Sequence, residues 1–166
     1  MAASRHGSSD RTEPPRVRLL EVAEAEPAED LLRRAFAPYI QRLGRSLRPQ
    51  TFAHLPAALA ERRVYGAFFE EQFVGVAITE QSGRGWYLDQ ICVDPSFQGG
   101  GIGRALLRAL EGEARSAGVE TIALNTAEMM THLLKLYRTE GFQELRRGPP
   151  DHGLDAHTRV YFEKRL

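Results

Sequence analysis

A single cysteine, Cys92, is present, so the chain can build neither an intramolecular disulfide nor a thiolate cluster for zinc or iron–sulfur chemistry. An excess of either charge is also missing. Lys plus Arg and Asp plus Glu number 22 each, which leaves no global field to draw in nucleic acid or an anionic membrane. No apolar run approaches the roughly 20 residues that span a bilayer, and residues 1–15 lack the apolar middle of a secretory signal. These absences lead us to expect a cytoplasmic chain with no membrane, nucleic-acid or metal partner. At 166 residues there is material for one sizeable core but not for two.

What is present begins at residue 16. Residues 1–15 are rich in Ser, Arg and Pro and have little to bury, so a flexible tail is expected there and a single domain over 16–166. A short β-prone run from Arg16 is expected to end at Pro27, and a helix to follow through Leu31, Leu32, Ala35 and Phe36. Pro38, Gly44 and Pro49 punctuate the next stretch, before a short helix with Pro56 in its first turn. Val64–Phe69 and Phe73–Thr79 read as an antiparallel hairpin around Glu70, Glu71 and Gln72, and Trp86–Val93 reads as a third strand ended by Asp94-Pro95.

The period then changes. Ile102, Leu106, Ala109, Leu110, Ala114 and Ala117 form one stripe of a helix that Gly118 stops. Val119–Leu124 reads as a buried strand, Met129–Thr139 as a helix, and Phe142–Leu145 and Thr158–Leu166 as two last strands. This order predicts an α/β (α+β) fold: a mixed central sheet with helices on its faces, antiparallel at the front and parallel at its centre.

The strongest chemical signal is Gln98-Gly99-Gly100-Gly101-Ile102-Gly103-Arg104, between the end of one strand and the start of a helix. Glycines let the backbone take positive φ and admit a ligand against the main chain. The first amides of the helix have no partner of their own, and no Ser, Thr, Asp or Asn stands close enough before Ile102 to cap them. Backed by the helix dipole, they form a ready phosphate site. A tight strand-to-helix turn is the competing reading. The segment does not fit a nucleoside triphosphate loop, which needs Gly-Lys-Ser/Thr where Arg104 stands, nor the dinucleotide fingerprint, which needs a small residue at Arg104 or Leu106.

It does fit Gln/Arg-x-x-Gly-x-Gly/Ala. With ICVDPSF before it and LLKLYRTEGF after it, the stretch from Trp86 to Phe142 resembles the GNAT superfamily of acyl-CoA-dependent N-acyltransferases. The resemblance implies a sheet whose two central strands splay apart to take the pantetheine arm of acetyl-CoA. It implies that the main chain near Val93 bonds the thioester oxygen, with Ile91, Cys92 and Val93 along the arm. The amides of the loop from Gln98 through Gly99, Gly100, Gly101, Ile102 and Gly103 to Arg104 would then hold the diphosphate. It also implies that Tyr137, a phenol protonated at neutral pH, gives its proton to the departing thiolate. On pattern alone, Tyr137 equally continues the apolar face of Leu133 and Leu134.

Asp89 is the nearest candidate base, because alternation places it on the face of Ile91 and Val93; a structural carboxylate is the other reading. His152 and His157 in the last loop are further candidates. Asn125 stands three residues before Glu128, which suits a capping box; it alternatively replaces the pantetheine-contacting asparagine of the family, whose position here holds Met130. Cys92 alternates to the opposite face, as a small core residue does.

Between Arg33 and Arg63 stand seven arginines (33, 34, 42, 45, 48, 62 and 63) against one acid, Glu61, which suggests a small amine acceptor that carries an anionic group, or else a solvated helix face. The resemblance implies transfer of an acetyl group from acetyl-CoA to such an amine in a ternary complex, and a homodimer formed through edge strands or the last hairpin. A non-catalytic acyl-CoA sensor is the alternative.

Overall fold

The computed structural model describes residues 13–166; the expected tail lies, up to residue 12, outside the described residues. In chain order the elements are β1 (Arg16–Leu19), α1 (Ala25–Arg42), α2 (Leu55–Ala60), β2 (Val64–Phe69), β3 (Gln72–Ser82), β4 (Gly85–Val93), α3 (Ile102–Ser116), β5 (Thr121–Ala127), α4 (Thr131–Thr139), β6 (Gln143–Gly148) and β7 (Arg159–Arg165). The strands form one seven-stranded sheet in the order β1-β2-β3-β4-β5-β7-β6. Every pairing is antiparallel except β4 with β5.

Helices cover both faces. On one face Leu31 and Leu32 of α1, Leu55 of α2 and Phe52 just before α2 pack with Val76, Ile78 and Cys92 of the sheet. On the other face Leu106 and Leu110 of α3 and Leu134 and Tyr137 of α4 pack with Ala67, Val74, Leu88, Val160 and Phe162 of the sheet. In α3 the buried stripe runs through Ile102, Leu106, Leu107, Leu110 and Ala114; Ala117 falls beyond the last turn and is exposed, because Gly118 takes φ 72° there.

Local rules located most elements, and the exceptions have physical causes. Pro27 does not end a strand but sits in the first turn of α1, where a missing N–H costs nothing. Pro38 does not break α1 either: the helix runs on to Arg42 because its last turn docks Tyr39 and Leu43 against Ala127 and Met130. The β2–β3 loop is two residues rather than three, with Glu70 at φ 47° and Glu71 at φ 65°, so β3 starts at Gln72. Asn125 does not cap a helix. It lies within β5, α4 starts only at Thr131, and Glu128 pairs instead with Arg147.

Candidate active site

The site grows out of a failure of pairing at the centre of the sheet. Strands β4 and β5 are in register only at Trp86 with Ile122 and Tyr87 with Ala123, and beyond these they separate. The edge of β4 from Leu88 to Val93 and that of β5 from Leu124 to Ala127 then face each other without ladder partners. Asp94 donates its N–H to Val74 on the β3 side, 2.8 Å away, and successive N–H groups of a strand point to opposite edges. The Val93 N–H is therefore directed into the splay.

The chain leaves β4 through a capped turn. The Asp94 carboxylate accepts from the Ser96 N–H at 2.9 Å, and that bond with the Arg34 guanidinium holds its pKa below the usual carboxylate range. Gln98 ties the loop back by donating from Nε2 to the Val93 carbonyl at 3.2 Å. Gly99 and Gly101 then take φ of 82° and 81°, which only glycine adopts cheaply. Gly101 is the N-cap of α3 and offers no side chain, so the amides of the first turn stay open. Gly103 is different: a Cβ there would meet only Val93 Cγ2, at an ordinary 3.7 Å, so packing does not demand glycine. The Arg104 guanidinium turns to Glu140 at the end of α4, 2.6 Å away, and Arg108 shares the same carboxylate.

Tyr137 projects from α4 into the core, only 4% exposed, with ring centroids 5.9 Å from Phe142 and 5.8 Å from Phe162. Burial pushes its pKa well up, so the phenol keeps its proton through neutral pH. Ile91 and Val93 pack with the α3 side, as alternation predicts, whereas Cys92 faces α1 and α2, where burial pushes its thiol to about 12. Any contact from Cys92 to a ligand in the splay is limited to its main chain.

Asp89 departs from expectation. The register steps from Ile78 with Gln90 to Thr79 with Leu88, which leaves Asp89 as the extra residue of a β-bulge. The bulge breaks the alternation and turns Asp89 to the face of α2, opposite Ile91 and Val93. There its Oδ2 lies 3.3 Å from Nε2 of His54, the N-cap residue of α2. Contact with Asp89 raises the His54 pKa despite partial burial. On the same face Asn125 Nδ2 donates to the Tyr87 hydroxyl across the start of the splay. Burial, and then the Asp89 charge, push the Tyr87 phenol up to about 12.

Sequence reasoning missed His54 and Tyr87: a histidine ahead of Leu-Pro carries no local signal of a partner 35 residues on. The histidines it did single out stand apart, in the β6–β7 loop. His152 Nδ1 accepts from the Leu154 N–H at 2.9 Å and the His157 N–H donates to Asp155 at 3.0 Å.

The arginine surplus is mostly spent locally. Arg33 bonds Glu29, Arg34 Asp94 and Arg63 Glu61, while Arg42 reaches Met130 Sδ. Arg45 joins Arg159 on the buried Asp155, tying the end of α1 to β7. Among the described residues no group of three or more His, Cys, Asp or Glu is placed to hold a metal ion, and no helix is long and apolar enough to cross a membrane.

Comparison with known proteins bears on the family and the fold. Residues 25–142 match the model of the acetyltransferase (GNAT) family. The IAA acetyltransferase of Azospirillum brasilense is 39% identical over 74 residues, a match that spans 45% of this chain and 46% of that protein, less than half of either. The ribosomal-protein-S18-alanine N-acetyltransferase of Escherichia coli superposes with a TM-score of 0.74 at 24% identity, covering 92% of this chain and 94% of the other. The PaiA N-acetyltransferase of Thermoplasma acidophilum, solved in complex with coenzyme A, gives 0.70 at 16% identity over 93% of this chain and 100% of its own. These structures share the fold, and the sequence match over most of the chain carries the conclusion: the chain belongs to the GNAT acetyltransferase family.

Proposed function

We propose that this protein transfers the acetyl group of acetyl-CoA to the primary amine of a small molecule bearing an anionic group, by direct attack in a ternary complex. The observation that carries the reading is the adjacency of two main-chain features. One is the open first turn of α3 behind Gly99 and Gly101; the other is the Val93 N–H pointing into the splay one short turn upstream. Acetyl-CoA supplies an activated thioester whose diphosphate suits the first feature and whose carbonyl suits the second.

The loop from Gln98 to Arg104 holds the diphosphate by its amides, and Ile91 and Val93 flank the pantetheine. The Val93 N–H stabilises the negative charge that develops on the carbonyl oxygen, and Tyr137 donates its proton to the leaving sulfur. Asn125, at the start of the splay, takes the contact to the arm that Met130 cannot make. Asp89, on the opposite face of the sheet from Tyr137, serves the deprotonation of the amine. The amine enters from the α1 and α2 side, and the thiolate is protonated from the α4 side.

The anionic group of the acceptor is matched by the run of arginines between Arg33 and Arg63, on the side of α1 and α2 from which the amine enters. Thiol release from acetyl-CoA, assayed across amino acids and polyamines, tests this. Turnover is expected to be best with an amine that bears a carboxylate or phosphate; best turnover of spermidine overturns the acceptor class. A non-catalytic acyl-CoA sensor is the second reading, favoured by the packing of Tyr137 between two phenylalanines, and binding without thiol release from any amine would select it.

A further inference from the structure

Among the described residues only two buried side-chain polar atoms lack a hydrogen-bond partner, His54 Nε2, which faces the β4 bulge from the N-cap of α2, and Gln90 Oε1, which flanks it. Gln90 follows the bulged Asp89, and His54 Nε2 stands 3.3 Å from Asp89 Oδ2, within ion-pair distance but not aligned as a hydrogen bond. Buried polar groups are almost always satisfied, so an imidazole held only by a loose carboxylate contact beside an unpartnered amide oxygen marks a place arranged for something other than stability. The bulge begins two residues past the last paired position of β4, at the opening of the splay.

The chemistry at that opening needs a base matched to its task. An ammonium gives up its proton near pH 10 and an ordinary aspartic acid near pH 4, so a carboxylate alone is a poor acceptor, whereas an imidazole lies much closer. A carboxylate facing Nε2 also fixes the neutral tautomer, with the proton on Nε2 and the lone pair on Nδ1.

We propose that His54 takes the proton of the acceptor's ammonium and that Asp89 acts through it as a positioning residue. This rests on the acetyltransferase reading. The N–H bond of the ammonium breaks, its electron pair becomes the nucleophile, and the proton moves to His54 Nδ1, directly or through one water. Nε2–H stays toward Asp89, and the imidazolium releases its proton to solvent after the product leaves. The charged groups that face the ring are Asp89 from β4 and Glu80 from β3, which favour the imidazolium, and Arg63 from the segment after α2, which opposes it. Their balance, with burial, places the His54 pKa above its ordinary 6.5.

The test compares the wild type with His54→Gln and Asp89→Asn. The pH dependence of kcat/KM is followed with acetyl-CoA and the best amine of the panel above, the His54 ring is titrated by NMR, and acetyl-CoA affinity is measured by calorimetry. In the wild type the activity is expected to rise with pH through an apparent pKa above 6.5 that coincides with the NMR value. Asp89→Asn moves both downward. His54→Gln removes that limb and lowers kcat by about 100-fold or more while acetyl-CoA affinity stays within about twofold. Should His54→Gln not fold, the parallel shift in Asp89→Asn carries the test. An unchanged limb in Asp89→Asn, or a His54→Gln protein with kcat within about twofold of the wild type, overturns the proposal. Wild type that binds no acetyl-CoA overturns the acetyltransferase reading beneath it instead.

Discussion

A phenol held between Phe142 and Phe162 has a packing reason to be there and needs no chemistry to explain it. The two roles of Tyr137 separate when only its oxygen is removed. Tyr137→Phe is expected to keep the melting temperature and the acetyl-CoA affinity and to lower kcat by about 100-fold or more, measured by steady-state thiol release. Gly103 separates them in the other direction. Its added Cβ meets only an ordinary contact at 3.7 Å, and alanine is the better helix former by at most about 1 kcal/mol, so Gly103→Ala is expected to fold at least as stably as the wild type. If the first turn of α3 receives a diphosphate against its main chain, the same change weakens acetyl-CoA by about tenfold or more in calorimetry. A stability gain paired with a binding loss has no structural explanation other than a ligand at that position.

At the scale of the element, the β2–β3 hairpin carries a cost that can be removed. Its two-residue turn puts Glu70 and Glu71 at positive φ, which costs a residue with a Cβ about 1–2 kcal/mol each. Replacing the pair by Asn-Gly is expected to raise the midpoint of urea unfolding with the slope unchanged, since the turn touches neither core. The hairpin also shows what was legible in the sequence and what was not. Alternation and turn residues locate the strands, and the stripe from Ile102 to Ala114 locates α3, because these signals are local. The glycine run announced the open helix entrance for the same reason.

Long-range packing was silent. Alternation put Asp89 on the wrong face, since one inserted residue inverts the count and nothing in WYLDQICV announces the insertion. Likewise Pro38 reads as a helix end, and only the docking of Tyr39 and Leu43 on Ala127 and Met130 carries α1 past it. Asn125 fits a capping box by spacing, yet β5 runs through it to pair with Tyr161.

Across the whole molecule, the two halves of the sheet share only the short parallel pairing of β4 with β5, so side-chain ties do much to join them. Lys164 of β7 reaches Glu111 of α3 at 2.7 Å, and Glu140 after α4 receives Arg104 and Arg108 from α3. On the other face Asp155, 3% exposed, binds Arg159 at 2.9 Å and Arg45 at 3.2 Å. Removing one partner of a buried pair leaves an uncompensated charge, so Asp155→Asn is expected to lose about 3–5 kcal/mol. The Arg159 guanidinium holds the Asp155 carboxyl far below its usual pKa. Its contribution is therefore present above the unfolded value near pH 4 and lost as pH falls towards the folded one. The melting temperature of the wild type should thus drop faster between neutral and acid pH than that of Asp155→Asn, as followed by circular dichroism.

The splay between the two halves is the feature on which the proposed activity depends, and its ligand can be measured directly. Calorimetric titration of the full chain with acetyl-CoA, beside acetyl-pantetheine that lacks the diphosphate, is expected to give one saturable site for the first and much weaker binding for the second. Equal affinity for the two, or no heat with acetyl-CoA on folded protein, contradicts a diphosphate held at the entrance of α3.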